Sequence, residues 1–212
     1  MPSAHDKIIA RAAKATLQPL GLRRKGQSRL WIGDHGWWLA IVEFQPSGFS
    51  KGSYLNVAAH WLWSDKGYIS FDLGSGADWD SRAADFEEYQ SDEQFEEAGN
   101  RLAVIASEEI RELAARLPSI EATADLLLSH EKSTRGGGSW STYNAGIAAG
   151  LCGRAEEAAA MLRSVTDARV RDAVDRYVSL TSDLTRFREL VLSQIASQRE
   201  ALRLTALRSP PL

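Results

Sequence analysis

The sequence holds a single cysteine, Cys152, and no apolar run long enough to cross a bilayer. A lone thiol excludes an intramolecular disulfide and any thiolate metal cluster, and it fits a reducing compartment. A membrane helix needs about 20 consecutive apolar residues, and no stretch approaches that. The opening residues, Met1 to Lys7, lack the apolar segment of a secretory signal. The expectation is a cytoplasmic protein with no membrane partner. Zinc-ligand spacing is missing as well, because His5, His35, His60 and His130 are scattered. The glycines of Gly74-Ser75-Gly76 are not followed by the Lys-Ser/Thr of a phosphate loop. No cofactor and no metal are expected. Bulk basicity is absent too, since the net charge is -3, and this disfavours nucleic acid as a partner.

What the chain does have is the composition of an ordinary globular protein, 44% apolar and 25% charged, with ample length for a sizeable core. The charge is unevenly placed. Residues 1–51 carry eight Lys/Arg against three Asp/Glu, whereas residues 72–97 carry ten Asp/Glu against one Arg. Such blocks are usually solvated faces, and they can also act as electrostatic recognition surfaces. Asp72, Asp78, Asp80 and Asp85 lack the spacing of a calcium loop and read as solvated acids. Arg23-Arg24-Lys25 is a basic cluster without interleaved aromatics.

Helical periodicity covers residues 4–19 and ends at Pro19 and Gly21. Strand-like runs follow at 22–32, 36–45, 53–63 and 68–73, with turn residues between them. Connections this short make antiparallel neighbours. Residues 74–90 read as an acidic loop. From Ser91 the pattern is helical: one helix to about Leu117, another opened by Pro118 to about Ser129, and a loop over 130–139. A helix pair over 140–152 and 154–164 follows, then helices at about 167–180 and 182–206 and a frayed end at 209–212. The fold class is therefore α+β: an N-terminal helix on an antiparallel sheet of about four strands, then an all-helical C-terminal part. The domain boundary is expected near residue 90, as 1–90 and 91–212, with no long linker between the parts.

Period 2 sorts the strand faces. Trp38, Ala40, Val42 and Phe44 share one face with Leu55, Val57, Ala59, Trp61 and Trp63, and this apolar face should pack on the first helix. The opposite, mixed face carries Trp37, Glu43, Gln45, Tyr54, Asn56 and His60. Six of the seven tryptophans lie within residues 31–79. Indoles fill cores, and exposed ones anchor recognition surfaces. Trp31, Trp37 and Trp79 are the ones expected to be exposed. Adjacent strands can bring Glu43, Gln45, Asn56 and His60 together as a polar network or binding patch.

Two stretches resemble known families. The first joins Leu17-Gln18-Pro19-Leu20-Gly21-Leu22-Arg23-Arg24-Lys25-Gly26, the run Trp37 to Ser47, and Tyr54-Leu55-Asn56-Val57. Over roughly residues 5–75 it resembles the bacterial domain-of-unknown-function family 4304, with Leu22 where that family has Phe and Pro46 where it has a basic residue. The resemblance implies an α+β fold and brings no catalytic residues. The second is the spacing of Gly146, Gly153, Ala158 and Leu162, which looks like one tetratricopeptide-type helix hairpin near 140–164. Repeat arrays need about three copies, and no second copy is evident.

The function expected from the sequence is a non-enzymatic binding or protein-interaction module that uses a Trp-rich sheet face, in a bacterial adaptor or immunity-type setting. Its binding residues would be Trp31, Trp37, Glu43, Gln45, Tyr54, Asn56, His60 and Trp79, and its partner another protein. The alternatives are a small hydrolase-like enzyme using Glu43 and His60 for acid–base work, or a weak nucleic-acid binder using the basic N-terminal third.

Overall fold

The computed structural model describes residues 3–64, 66–134, 138–207 and 211–212. It divides into two compact units: Met1–His60 with Ile69–Ala115, and Trp61–Tyr68 with Arg116–Leu212. The boundary expected near residue 90 falls inside the first unit.

The first unit opens with α1 (Ala4–Leu17), whose stripe of Ile8, Ile9, Ala12, Ala13 and Leu17 is buried. Ser3 caps it: its hydroxyl accepts from the Asp6 N–H at 3.3 Å while the Asp6 carboxylate accepts from the Ser3 N–H at 3.0 Å, and a capping box of this kind satisfies two orphan donors at once. Arg29 adds to this end. It donates twice to Asp6 Oδ1, at 2.8 and 2.6 Å, and once to the Gly52 carbonyl at 2.9 Å. Burial alone would raise the Asp6 pKa, but the bonds from Ser3 and Arg29 win and hold it down at about 2.

The sheet has six strands: β1 (Arg23–Arg24), β2 (Leu30–Asp34), β3 (Trp38–Glu43), β4 (Gly52–Trp61), β5 (Leu73–Gly74) and β6 (Arg82–Glu88). The order is β1-β2-β3-β4-β5, with β6 also paired to β4, and the described registers are antiparallel. This corrects the expected four. The run 22–32 is two short strands with a turn between them, in which Arg24 donates to the Ser28 and Gln27 carbonyls. The strand expected at 68–73 reduces to Leu73–Gly74. Residues 82–88, expected within a loop, pair with the first half of β4 (Gly52↔Glu88 to Asn56↔Arg82). Between β5 and β6, Val57 of β4 bonds Ser75 and Ser81, so the loop 75–81 is an excursion from one interrupted edge. Asp78 and Trp79 in that loop have φ of +51° and +64°, a backbone region that side-chain-bearing residues seldom adopt.

Sheet register puts Trp31 opposite Val42 and Gly33 opposite Ala40, all on the apolar face. The helix α2 (Asp92–Arg116) starts as its composition suggests. The Ser91 hydroxyl accepts from the Gln94 N–H at 3.2 Å, and the Gln94 side chain accepts from the Gln90 N–H at 3.2 Å. Gly99 of α2 faces Ile8, Ile9 and Ala12 of α1, where an added Cβ would make ordinary contacts at 3.5–3.8 Å.

The second unit holds α3 (Ile120–Thr134), α4 (Trp140–Leu151), α5 (Ala155–Ser164), α6 (Arg171–Val178) and α7 (Leu184–Ala201). Residues 130–134 are helical, not loop as expected; Gly136, Gly137 and Ser209-Pro210 lie outside the described residues. Helix α4 is buried all round from Thr142 to Leu151. Its glycines are necessary there: a Cβ on Gly150 would collide with the Phe187 ring of α7, and one on Gly146 would sit 2.8 Å from Leu162 of α5. The hairpin turn is a Schellman motif. Gly153 takes φ +80°, its N–H bonds the Gly150 carbonyl, and the Arg154 N–H bonds that of Ala149. Trp61 and Trp63 belong to this unit. They stack at 5.1 Å, and Trp63 Nε1 donates to Asn144 Oδ1 of α4 at 3.0 Å. Burial pushes the Cys152 thiol up to about 11, so it stays protonated and unreactive near neutral pH. No helix among the described residues is long and apolar enough to cross a membrane.

Candidate functional site

The mixed face of the sheet is where polar side chains converge. β3 and the residues just after it present Glu43 and Gln45, β4 presents Tyr54 and Asn56, and β6 adds Arg82. Asn56 is the hub. Its Nδ2 donates to Glu43 Oε2 at 3.1 Å and to Gln45 Oε1 at 2.9 Å. Arg82 Nη2 donates to the same Gln45 oxygen at 3.2 Å, and its guanidinium lies over the Tyr54 ring, 4.2 Å from the centroid. Tyr54 in turn rests on Phe86, with ring centroids 4.9 Å apart. Four of the eight residues picked from the sequence thus meet in one cluster. Asn56 is buried; Glu43, Gln45, Tyr54, Arg82 and Phe86 are half-buried. Arg82 Nη1 is buried without a hydrogen bond to any described residue, and the ring beneath the guanidinium offsets that by a cation–π contact. Strand alternation missed Arg82 because nothing in its neighbourhood announced a strand.

His60 does not join this cluster. It lies four residues beyond Asn56 on β4, about 13 Å along the strand. There its Nδ1 meets Asp72 Oδ2 at 3.0 Å and Ser70 Oγ at 3.1 Å, while Ser70 Oγ donates to Asp72 Oδ1 at 2.8 Å. The His60 and Asp72 side chains are only 1% and 2% exposed. Serine and aspartate meet the same ring nitrogen. A nucleophilic triad would need them on opposite nitrogens, so this geometry ties a loop down and does not activate the serine. Glu43 and His60, expected to cooperate in acid–base work, bond to different partners.

The tryptophans expected to be exposed are not. Trp31 and Trp37 are 4% and 6% exposed, and Trp79 is half-buried in the 75–81 excursion. Trp31 pairs in register with Val42 on the apolar face and adjoins Ala10, Arg11 and Lys14 of α1 in one cleft. Trp37 lies against Trp38, with ring centroids 6.3 Å apart. The large apolar side chains that do reach solvent include Phe49, fully exposed in the β3–β4 connection, together with Tyr68 and Phe71. Among the described residues, no group of three or more His, Cys, Asp or Glu is placed to hold a metal ion. No family model, curated protein or solved structure matches this chain.

Proposed function

We propose that this chain is a non-enzymatic binding module for another protein, and that the open end of the mixed sheet face, not the tryptophans, meets the partner. The observation that carries this reading is the cluster of Glu43, Gln45, Tyr54, Asn56 and Arg82. Its side chains are already held by one another in a half-exposed position. Groups fixed before binding lose little freedom on binding, and tyrosine and arginine are over-represented among residues that dominate interface energies. A cytoplasmic setting belongs to the same proposal and rests on the single cysteine and the short apolar runs. Acid–base catalysis by Glu43 and His60 is disfavoured by the enclosure of His60.

The test is affinity capture from native extract with wild type and with a Tyr54→Ala, Arg82→Ala double variant whose melting is checked first. A protein held by wild type and released by the variant supports the reading. A protein held equally by both places the contact elsewhere and rejects this face.

A further inference from the structure

A second surface is independent of that cluster. The outer side of α1 and the β1–β2 hairpin border a cleft of about 460 Å³ whose apolar lining includes Leu22 and Trp31. Its charged lining is Arg11, Lys14, Arg23 and Arg24, all cationic. A neighbouring groove of about 540 Å³ shares Arg11 and Lys14 and again contains no acid. Two of the four cations are engaged: Arg11 pairs with Glu96, and Arg24 donates to the Ser28 and Gln27 carbonyls. Lys14 of α1 and Arg23 of β1 make no side-chain hydrogen bond or ion pair with any described residue. β1 is the end strand of the sheet, so its outer edge has no strand beside it.

We propose that this cleft binds an acidic peptide segment of a partner protein, with an apolar side chain over Leu22 and Trp31 and carboxylates at Lys14 and Arg23. The positive lining selects an anion. Cations on a helix and a strand match several spaced negative charges better than one. The cleft is open to solvent, whereas sites for small molecules enclose most of their ligand. Nucleic acid fits less well, because the one aromatic lining the cleft, Trp31, is almost wholly buried and stacking needs an exposed ring face.

The experiment uses the full chain and a labelled synthetic peptide of glutamates around one central leucine, followed by fluorescence anisotropy at low salt. The expected result is binding that weakens at least about tenfold in a Lys14→Glu, Arg23→Glu variant. A Lys7→Glu, Lys51→Glu variant of equal net charge should bind as wild type does. Replacing the peptide's leucine by glycine should also weaken binding, and a DNA duplex should compete poorly. The proposal is overturned if wild type does not bind, if both charge variants lose affinity equally, if the glycine peptide binds as well, or if DNA outcompetes the peptide. Lys14 and Arg23 are exposed, so their variants should melt as wild type does, and a melting scan checks this.

Discussion

Strand β4 carries two polar clusters on one face, and they differ in almost everything except their alternation. Around Asn56 the partners are an amide, a carboxylate and a guanidinium that remain half-open to water. Around His60 the carboxylate of Asp72 and the ring itself are closed off from it, and the hydroxyl comes from the half-buried Ser70. A sealed cluster has no water to replace a lost partner, whereas an open one does. The first arrangement is the one proposed above for recognition, and the second ties the fold together. The difference teaches that a shared face does not imply a shared role.

Graded substitutions can break or sharpen that contrast. Asp72→Ala, which takes its carboxylate acceptor from the buried His60, should cost the most, about 3 kcal/mol in urea unfolding. A loss under about 1 kcal/mol would mean that water reaches the cluster. Asn56→Ala should cost about 1.5 kcal/mol, because Glu43 and Gln45 can rehydrate. A cost equal to that of Asp72→Ala would erase the distinction.

Next in size comes the Asp6–Arg29 pair, with side chains 33% and 9% exposed. Asp6→Asn should cost about 1 kcal/mol, as the loss of a helix cap does. The Asp6 carboxyl has its folded pKa lowered to about 2 from 3.8, so its contribution is present above the unfolded value and disappears as pH falls through the folded one. Wild-type melting temperature should therefore drop between about pH 5 and pH 2 more steeply than that of Asp6→Asn. Parallel curves would show that the pair is idle. The smallest effect belongs to Arg11→Ala. Its partner Glu96 and Arg11 itself are 50% and 67% exposed, and the change should shift stability by less than about 1 kcal/mol.

The sequence made some of this plain and hid the rest for physical reasons. Helix α1 and the α4–α5 hairpin are legible because an apolar stripe, stop residues and a turn glycine act locally. Period 2 puts Glu43, Gln45, Tyr54 and Asn56 on one face, and of the expected group Glu43, Gln45, Asn56 and His60 the first three meet. β6 was not legible: Arg82-Ala83-Ala84-Asp85-Phe86-Glu87-Glu88 has little intrinsic strand character and is a strand only because β4 offers it an edge. Arg82 was lost with it. Trp37 is buried against expectation because alternation tells which side a residue faces but not what covers that side, and Trp31 because only the register with Val42 places it on the apolar face. The division of β4 into an open and a sealed stretch was invisible for the same reason.

The segment Trp61–Tyr68 leaves one unit and belongs to the other, where Trp63 is bonded to Asn144. A single nick in the chain between residues 116 and 120 would therefore not free an intact helical half. The N-terminal fragment would retain two of that half's indoles, and the pieces would behave as a split protein, held together without a covalent link until denatured.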